Sequence, residues 1–315
     1  MAVRPPPRAP HGKQRGVALA MLLWMLAALT LLVSGVVFQS RTDVQLTRLY
    51  LDQARVQAAA LGAAHLLLAE QALAASSGEL NSGGIFAREY ELNGLQLHAR
   101  AVPVGGLVDL NLASPELLAV MFQYLGRLDA NDAEQLAEQL VDWRMPPQVD
   151  VAADVAADSA EGEEPALIGN GMLTVVEDLL RVPGMSRAVY DRVRTAVHVE
   201  PGGQQGVDPL AAPEDVLLLI ANGDAGVVDT IIEARRDTSV SAADLPGGLD
   251  PIHLASGGAG GYRVDVHVVQ QSQPPLVQRI WVRMTGGQGG VPWQFTRVLP
   301  VEVEPRLVGE GRHAG

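Results

Sequence analysis

Residues 17–38, VALAMLLWMLAALTLLVSGVVF, contain no charged side chain. As a helix they reach roughly 33 Å, the thickness of a bilayer core. Such a stretch reads as a membrane span, and it decides compartment and orientation before any domain folds. Arg4, Arg8, Lys13 and Arg15 precede it without an acid among them, whereas Arg41, Asp43 and Arg48 behind it nearly cancel. The positive-inside bias therefore predicts a cytoplasmic N-terminus and sends the chain after Ser40 across the membrane.

A secretory signal has an apolar region of about 7 to 15 residues followed by a small-residue cleavage site. Here the apolar run is longer, and the small residue, Gly16, comes before it beside Arg15. A basic leader, a glycine and an unbroken apolar helix resemble the processing site of type IV prepilins and pseudopilins. The resemblance implies that a prepilin peptidase cuts after Gly16 and that Val17 becomes the mature N-terminus, with the helix retained. That family usually has Glu at the fifth mature position, paired with the terminal amine of a neighbouring subunit. The fifth residue from Val17 is Met21, a departure that among pseudopilins marks protein K of type II secretion, which sits at the filament tip.

The length of 315 residues leaves room for the span and one or two domains. A net charge of -13 argues against nucleic acid as the main partner and favours a soluble region able to hold cations. With no cysteine, disulfides, thiolate metal sites and cysteine nucleophiles are excluded.

Along the chain, 1–16 reads as the leader and 17–38 as the span, continuing as helix to about residue 75. Between Gln39 and Ala75 there is no proline and one glycine, Gly62, and Val44, Leu51, Ala54, Ala58, Leu61, Leu66 and Leu68 recur at helical spacings. The alanine-rich run QAAALGAAHLLLAE suits packing on a sheet, with a coiled-coil stalk as the alternative. His65 within it reads as a core or interface histidine rather than a metal ligand. SSGELNSGG then ends the helix. Leu95, Leu97, Ala99 and Ala101 alternate with Gln96, His98, Arg100 and Val102, giving a strand that closes at Pro103. The alternation returns at Tyr262, Val264, Val266 and Val268, followed by strands at Leu276 to Met284 and Trp293 to Val303. The expected fold is α+β: a long N-terminal transmembrane, pilin-type helix packed on an antiparallel sheet (76–108 and 257–304), with a large all-helical insertion (109–256) between strands and a tail at 305–315.

The insertion opens with VDLNLASPELLAVMFQYLG, where Ser114 is the expected N-cap, Pro115 the first helical residue and Glu116 an acid at the positive end of the dipole. VDPLAAPEDVLLLI looks like a second copy, with Ala113, Pro115 and Glu116 recurring as Ala211, Pro213 and Glu214 and one residue lost before the alanine. Between the copies lie Asp142 and Trp143, an acidic stretch, and Glu177, Leu179, Val182, Gly184 and Met185; Asp208, Ala211 and Ala212 follow. In order and spacing, from about Arg15 to Val303, these features resemble protein K of type II secretion systems. Two departures stand out: Met145 replaces the second acid usual after the DW pair, and Pro209 and Leu210 stand where asparagine is common. The resemblance implies a non-enzymatic, single-pass inner-membrane protein with its bulk in the periplasm. It would cap the pseudopilus with the equivalents of proteins I and J, be processed and methylated, act with the inner-membrane secretion platform, and help export folded proteins.

Asp142, Asp150, Asp154, Asp158, Glu161, Glu163 and Glu164 gather with Arg144 as the one local base. Like charges four apart on Asp150, Asp154 and Asp158 disfavour a helix. The stretch reads either as a solvated loop or as a Ca²⁺ site, since flexible oxygen-only ligands suit that ion. The resemblance implies calcium in this region, with Asp142, Glu163 and Glu164 as the ligands and Met145 weakening the site. LLRVPGMSRAVYDRV resembles a helix-hairpin-helix with Arg181, Arg187, Arg192 and Arg194 nearby, so a DNA-handling pilus component using 177–194 is the second functional reading. The overall acidity and the lack of a second glycine favour a packing hairpin and no nucleic-acid partner. No G-x-S-x-G, H-E-x-x-H or phosphate-cradling loop is present.

Overall fold

The computed structural model describes residues 15–77, 84–145, 171–235, 245, 247–255, 260–269, 274–285 and 291–303. The chain forms two compact units, Met1–Val56 and Gln57–Gly315. Helix α1 runs from Arg15 to Ser77, a length that proline-free sequence permits. In the first unit Met21, Leu22, Leu23, Trp24, Met25 and Leu26 are all exposed. Six consecutive residues cover every face of a helix, and a helix apolar all round is made for lipid or a protein core rather than water.

In the second unit the character of α1 changes. Ala60, Ala63, Ala64, Leu67 and Leu68 are fully buried while Leu66 and Leu73 stay exposed, which is the spacing of one packed face. That face crosses an antiparallel sheet built from β1 (Phe86–Leu92) and β2 (Leu95–Pro103) at one end of the sequence. The other end supplies β5 (Gly261–Val269), β6 (Leu276–Met284), β7 (Trp293–Val298) and β8 (Glu302–Val303). The order is β1-β2-β5-β6-β7, with β8 also on β6. At the β1 edge Tyr90 donates to Glu70 (3.1 Å) and Arg88 pairs with it (3.4 Å). Beyond β6, Trp293 Nε1 donates to His65 Nδ1 (3.1 Å) and the His65 ring lies 4.5 Å from Phe295, so His65 is an interface residue as expected.

Strand β1 is an element the sequence reading missed. Asn93 (φ 53) and Gly94 (φ 72) form the two-residue hairpin turn with both central residues left-handed. An Asn-Gly between alternating runs signals such a hairpin, but the charged side chains of FAREYEL hid the strand. The single strand expected at Trp293 to Val303 is in fact two, β7 and β8. Pro300 between them has no N–H to donate to a ladder.

The two sheet faces differ sharply. Toward α1 stand Leu97, Ala99, Ala101, Val264, Val266, Val268 and Ile280, none more than 1% exposed. On the other face the register lines up Arg100, Asp265 and Arg279 in one row and Val102, Arg263, Trp281 and Arg297 in the next. The helical insertion joins this charged face.

The insertion contains α2 (Pro115–Tyr124), α3 (Ala130–Arg144), α4 (Arg187–Val193), α5 (Glu214–Ile220) and α6 (Ala225–Ala234), and two short strands, β3 (Val108–Asp109) and β4 (Val197–His198), which pair in parallel. It has its own core, in which Leu117, Met121, Phe122, Leu140, Leu179 and Leu217 are buried.

The two copies read from sequence are present in three dimensions, but in a different register. The caps of α2 and α5 are Ser114 and Pro213, so Asp109 matches Asp208 and Ala113 matches Ala212 with no gap. Aligning on the Pro-Glu dipeptide, as the sequence suggests, is off by one because Pro115 is a first helical residue and Pro213 is a cap. Val108 pairs in parallel with Val197, and Val207 likewise with Leu254. The second copy reaches its next cap, Asp224, four residues sooner than the first reaches Asp129. Its final arginine, Arg235, again comes four residues sooner after the cap than Arg144 does. Four residues are about one helical turn, so both shortenings keep the helices facing as before.

Candidate functional site

Three places were marked by the sequence: the start of α1, the root of the acidic stretch, and the arginine hairpin. Gly16 and Val17 lie in the first turn of α1, and that turn has no acid. Met21 projects fully into the surroundings at 72% exposure. Leu19–Ser34 is an apolar segment of this helix, and Gln45–Ala74 is long and apolar enough to cross a bilayer (mean hydropathy 1.2). The most apolar window of Gln45–Ala74 is 44% buried, however, as befits a helix lying on protein.

At the second place, Asp109 begins a turn: its Oδ1 accepts from the N–H groups of Asn111 (2.7 Å) and Leu112 (3.2 Å). Burial pushes its carboxyl above the ordinary value, opposed by these bonds and by Arg144. Asn111 then ties the turn to the far side of the acidic stretch, donating to the Leu173 carbonyl (2.9 Å) and accepting from its N–H (2.8 Å). Gly171 N–H donates to the carbonyl of Trp143 (2.9 Å). Trp143 is buried, with the Arg181 guanidinium 6.0 Å from its ring.

The Arg144 guanidinium donates to the carbonyls of Leu110 (3.2 Å) and Ala113 (2.9 Å). In the second copy Arg235 does the same to Ala212 (2.7 Å) and, through two nitrogens, to Pro209. These clamps went unnoticed because their acceptors are backbone atoms about thirty residues away. The available signal was the recurrence of Val-Asp followed, two helices later, by an arginine.

Asp142 is exposed on the last turn of α3, and Met145 follows at 55% exposure. Glu163 and Glu164 lie outside the described residues. Among the described residues no group of three or more carboxylates or imidazoles comes together. Ca²⁺ takes six to eight oxygens, and of the three candidate carboxylates Asp142 alone falls among the described residues.

The hairpin begins with a 3-10 turn, Val176–Arg181, not an α-helix. Its arginines are engaged: Arg181 with Asp178 (3.5 Å), Arg187 with Asp191 (3.0 Å), Arg192 with the Gly126 carbonyl (2.8 Å), and Arg194 with Glu302 (3.0 Å). Gly184 (φ 80) sits so near α3 that a Cβ there would lie 2.7 Å from Gln139. The turn is packed against protein where a phosphate-binding turn would face outward.

Residues 90–202 match the family model described as type II secretion system (T2SS), protein K. They run from β1 through both halves of the first copy. No curated protein matches the chain. A chain in the crystal structure of the GspK-GspI-GspJ complex from the enterotoxigenic Escherichia coli type 2 secretion system is similar in fold. Its TM-score is 0.54 at 14% identity, over 84% of this chain and 99% of that one. Residues 90–202, about a third of the chain, are thus similar to the type II secretion system protein K family, and the fold as a whole is similar to that of the chain in the GspK-GspI-GspJ complex.

Proposed function

We propose that this protein is a minor pseudopilin at the tip of the type II secretion pseudopilus, where it starts assembly and serves the export of folded proteins. The observation that carries this is the insertion: a helical body with its own core, built between β2 and β5 on the sheet face away from α1. Such bulk suits the end of a helical filament better than its interior. The similar structure is of a complex named for GspK, GspI and GspJ, so the partners here are taken to be the equivalents of I and J. The test is co-expression of the full chain with those two pseudopilins. Recovery of a ternary complex from membranes is expected; recovery of the chain alone, or labelling along filament sides, would overturn the reading.

The anchor follows the same reading. The prepilin peptidase cuts after Gly16 and leaves Val17, methylated, at the start of a single inner-membrane span that hands the periplasmic bulk to the secretion platform. The working boundaries are 1–16, 17–38, 76–108 with 257–304, and 109–256. Intact mass of membrane-derived protein checks the cut, and a chain still starting at Met1 would refute it. Met21 supplies no carboxylate for the amine of a subunit above, and an unpaired ammonium in lipid costs several kcal/mol. A tip subunit has nothing above it.

Calcium at Asp142, Glu163 and Glu164 rests on the gathered acids. An ion bound only by the folded form stabilises by about 2.7 kcal/mol at a hundredfold excess over Kd. Unfolding midpoints that do not differ between Ca²⁺, Mg²⁺ and chelator would remove it.

A further inference from the structure

A cavity of about 30 Å³ lies where α4 and the insertion side of the sheet meet. Around it stand Arg194, from just after α4, Arg263 from β5, Arg279 from β6 and Arg297 from β7. Four guanidinium groups gather about this small space, and those of Arg263 and Arg279 are largely buried, where an unmatched charge is costly.

The acceptors present do not suffice. Asp265 is taken by Arg263, whose Nε reaches both carboxylate oxygens (3.0 and 3.1 Å) and whose Nη2 lies 2.9 Å from Oδ2. The remaining Arg263 nitrogen donates to the Thr195 carbonyl, so this group is satisfied. Arg297 donates to the Thr174 carbonyl (2.7 Å). Glu302 Oε2 is shared by Arg194 (3.0 Å) and Arg279 (3.4 Å). Among the described residues Arg279 has that one long bond and a 3.9 Å approach to Asp265, although its side chain is 14% exposed. An arginine carries five N–H donors. Even with Glu177 counted at the wall, the arginines outnumber the carboxylates Asp265, Glu302 and Glu177 by one positive charge. A water in the cavity would accept a hydrogen bond and leave that charge in place.

We propose that the cavity is a binding site for one small monovalent inorganic anion, with chloride the representative ligand. Arg279 is the principal donor, and Arg194 and Arg297 close the shell. The small volume suits a monatomic ion. Because Arg194 belongs to the insertion and Arg279 to the sheet, the ion joins Glu302 in bridging the two. This site is independent of the secretion role and of the calcium reading.

The test is the chloride NMR line width of the full chain in detergent micelles. Broadening beyond that of micelles alone, saturable and displaced by bromide, is expected. Arg279→Gln removes most of it, Arg297→Gln reduces it severalfold, and Arg88→Gln on β1 leaves it unchanged. Absence of excess broadening, or equal broadening in Arg279→Gln and Arg88→Gln, overturns the proposal. If near-UV circular dichroism shows Arg279→Gln unfolded, Arg297→Gln decides alone, and broadening equal to wild type in that variant overturns the proposal.

Discussion

The first helical copy and the second share a backbone plan and differ in the polar bonds that hold it. Both start with an aspartate whose side chain caps its own turn, Asp109 and Asp208, and both end in an arginine that grips two carbonyls of that turn. The first adds an asparagine pin at Asn111, a hydroxyl cap at Ser114 and a buried histidine, His198, in its closing strand. The second has Leu210, Pro213 and Ala255 at those positions. What the copies share is therefore the minimum that makes a turn, two helices and a short strand close on one another. The rest belongs to the first copy, at the root of the acidic stretch.

The largest test of this difference uses acid. His198 is fully buried with neither ring nitrogen at hydrogen-bonding geometry. Burial first, and Arg263 second, push its pKa from 6.5 down to about 3, with the Glu200 backbone opposing. The imidazole stays neutral in the folded protein over the range in which the unfolded chain takes up a proton. Its contribution is thus present above about pH 6.5 and is lost as pH falls toward 3. A loss on the order of 3 kcal/mol by about pH 4 is expected, and His198→Phe should flatten that limb of the urea-unfolding profile. An unchanged acid limb would show that the first copy has no special acid sensitivity.

Next come the clamps. Arg235→Ala strips donors from Pro209 and Ala212 and should cost about 2 to 3 kcal/mol, while Arg144→Ala, with two bonds rather than three, should cost about half as much. Urea midpoints of the full chain in detergent measure both. A cost for Arg144→Ala equal to or above that of Arg235→Ala would break the idea that the second copy relies more heavily on its clamp. Smaller again is Asn111→Leu, which installs the second copy's residue in the first and should cost about 1.5 kcal/mol. Hydrogen exchange at the Leu173 amide should accelerate with it, and an unchanged rate would deny the pin. Ser114→Ala should cost about 1 kcal/mol through the lost 3.2 Å bond to the Leu117 N–H, and unfolding midpoints that do not move would deny the cap.

Much of this fold was legible where a local rule applies. The apolar run of α1, the alternation in β2, β5 and β6, and the cap at Ser114 all follow from spacing and side-chain chemistry. Legibility fails where the partner is backbone or distant in sequence. The Arg144 clamp stayed hidden because sequence shows charges and hides carbonyls. Strand β1 was lost because an edge strand tolerates Arg88, Glu89 and Glu91, which spoil the hydrophobic alternation. Of the candidate calcium ligands, Asp142 falls on described structure, while Glu163 and Glu164 do not.

The bond from Gly171 to Trp143 gives the molecule a built-in splice point. Gly171 is held beside Trp143, so the separation of the two ends of 146–170 is set by the described core. Closing a longer loop across a fixed gap costs only about 0.6 kcal/mol for each doubling of its length. A fluorescent reporter grafted between Asp150 and Glu164 would therefore ride on the folded insertion while α2, α3 and their arginine clamp keep their stability. Such a graft would give secretion studies a visible handle far from the membrane anchor in sequence.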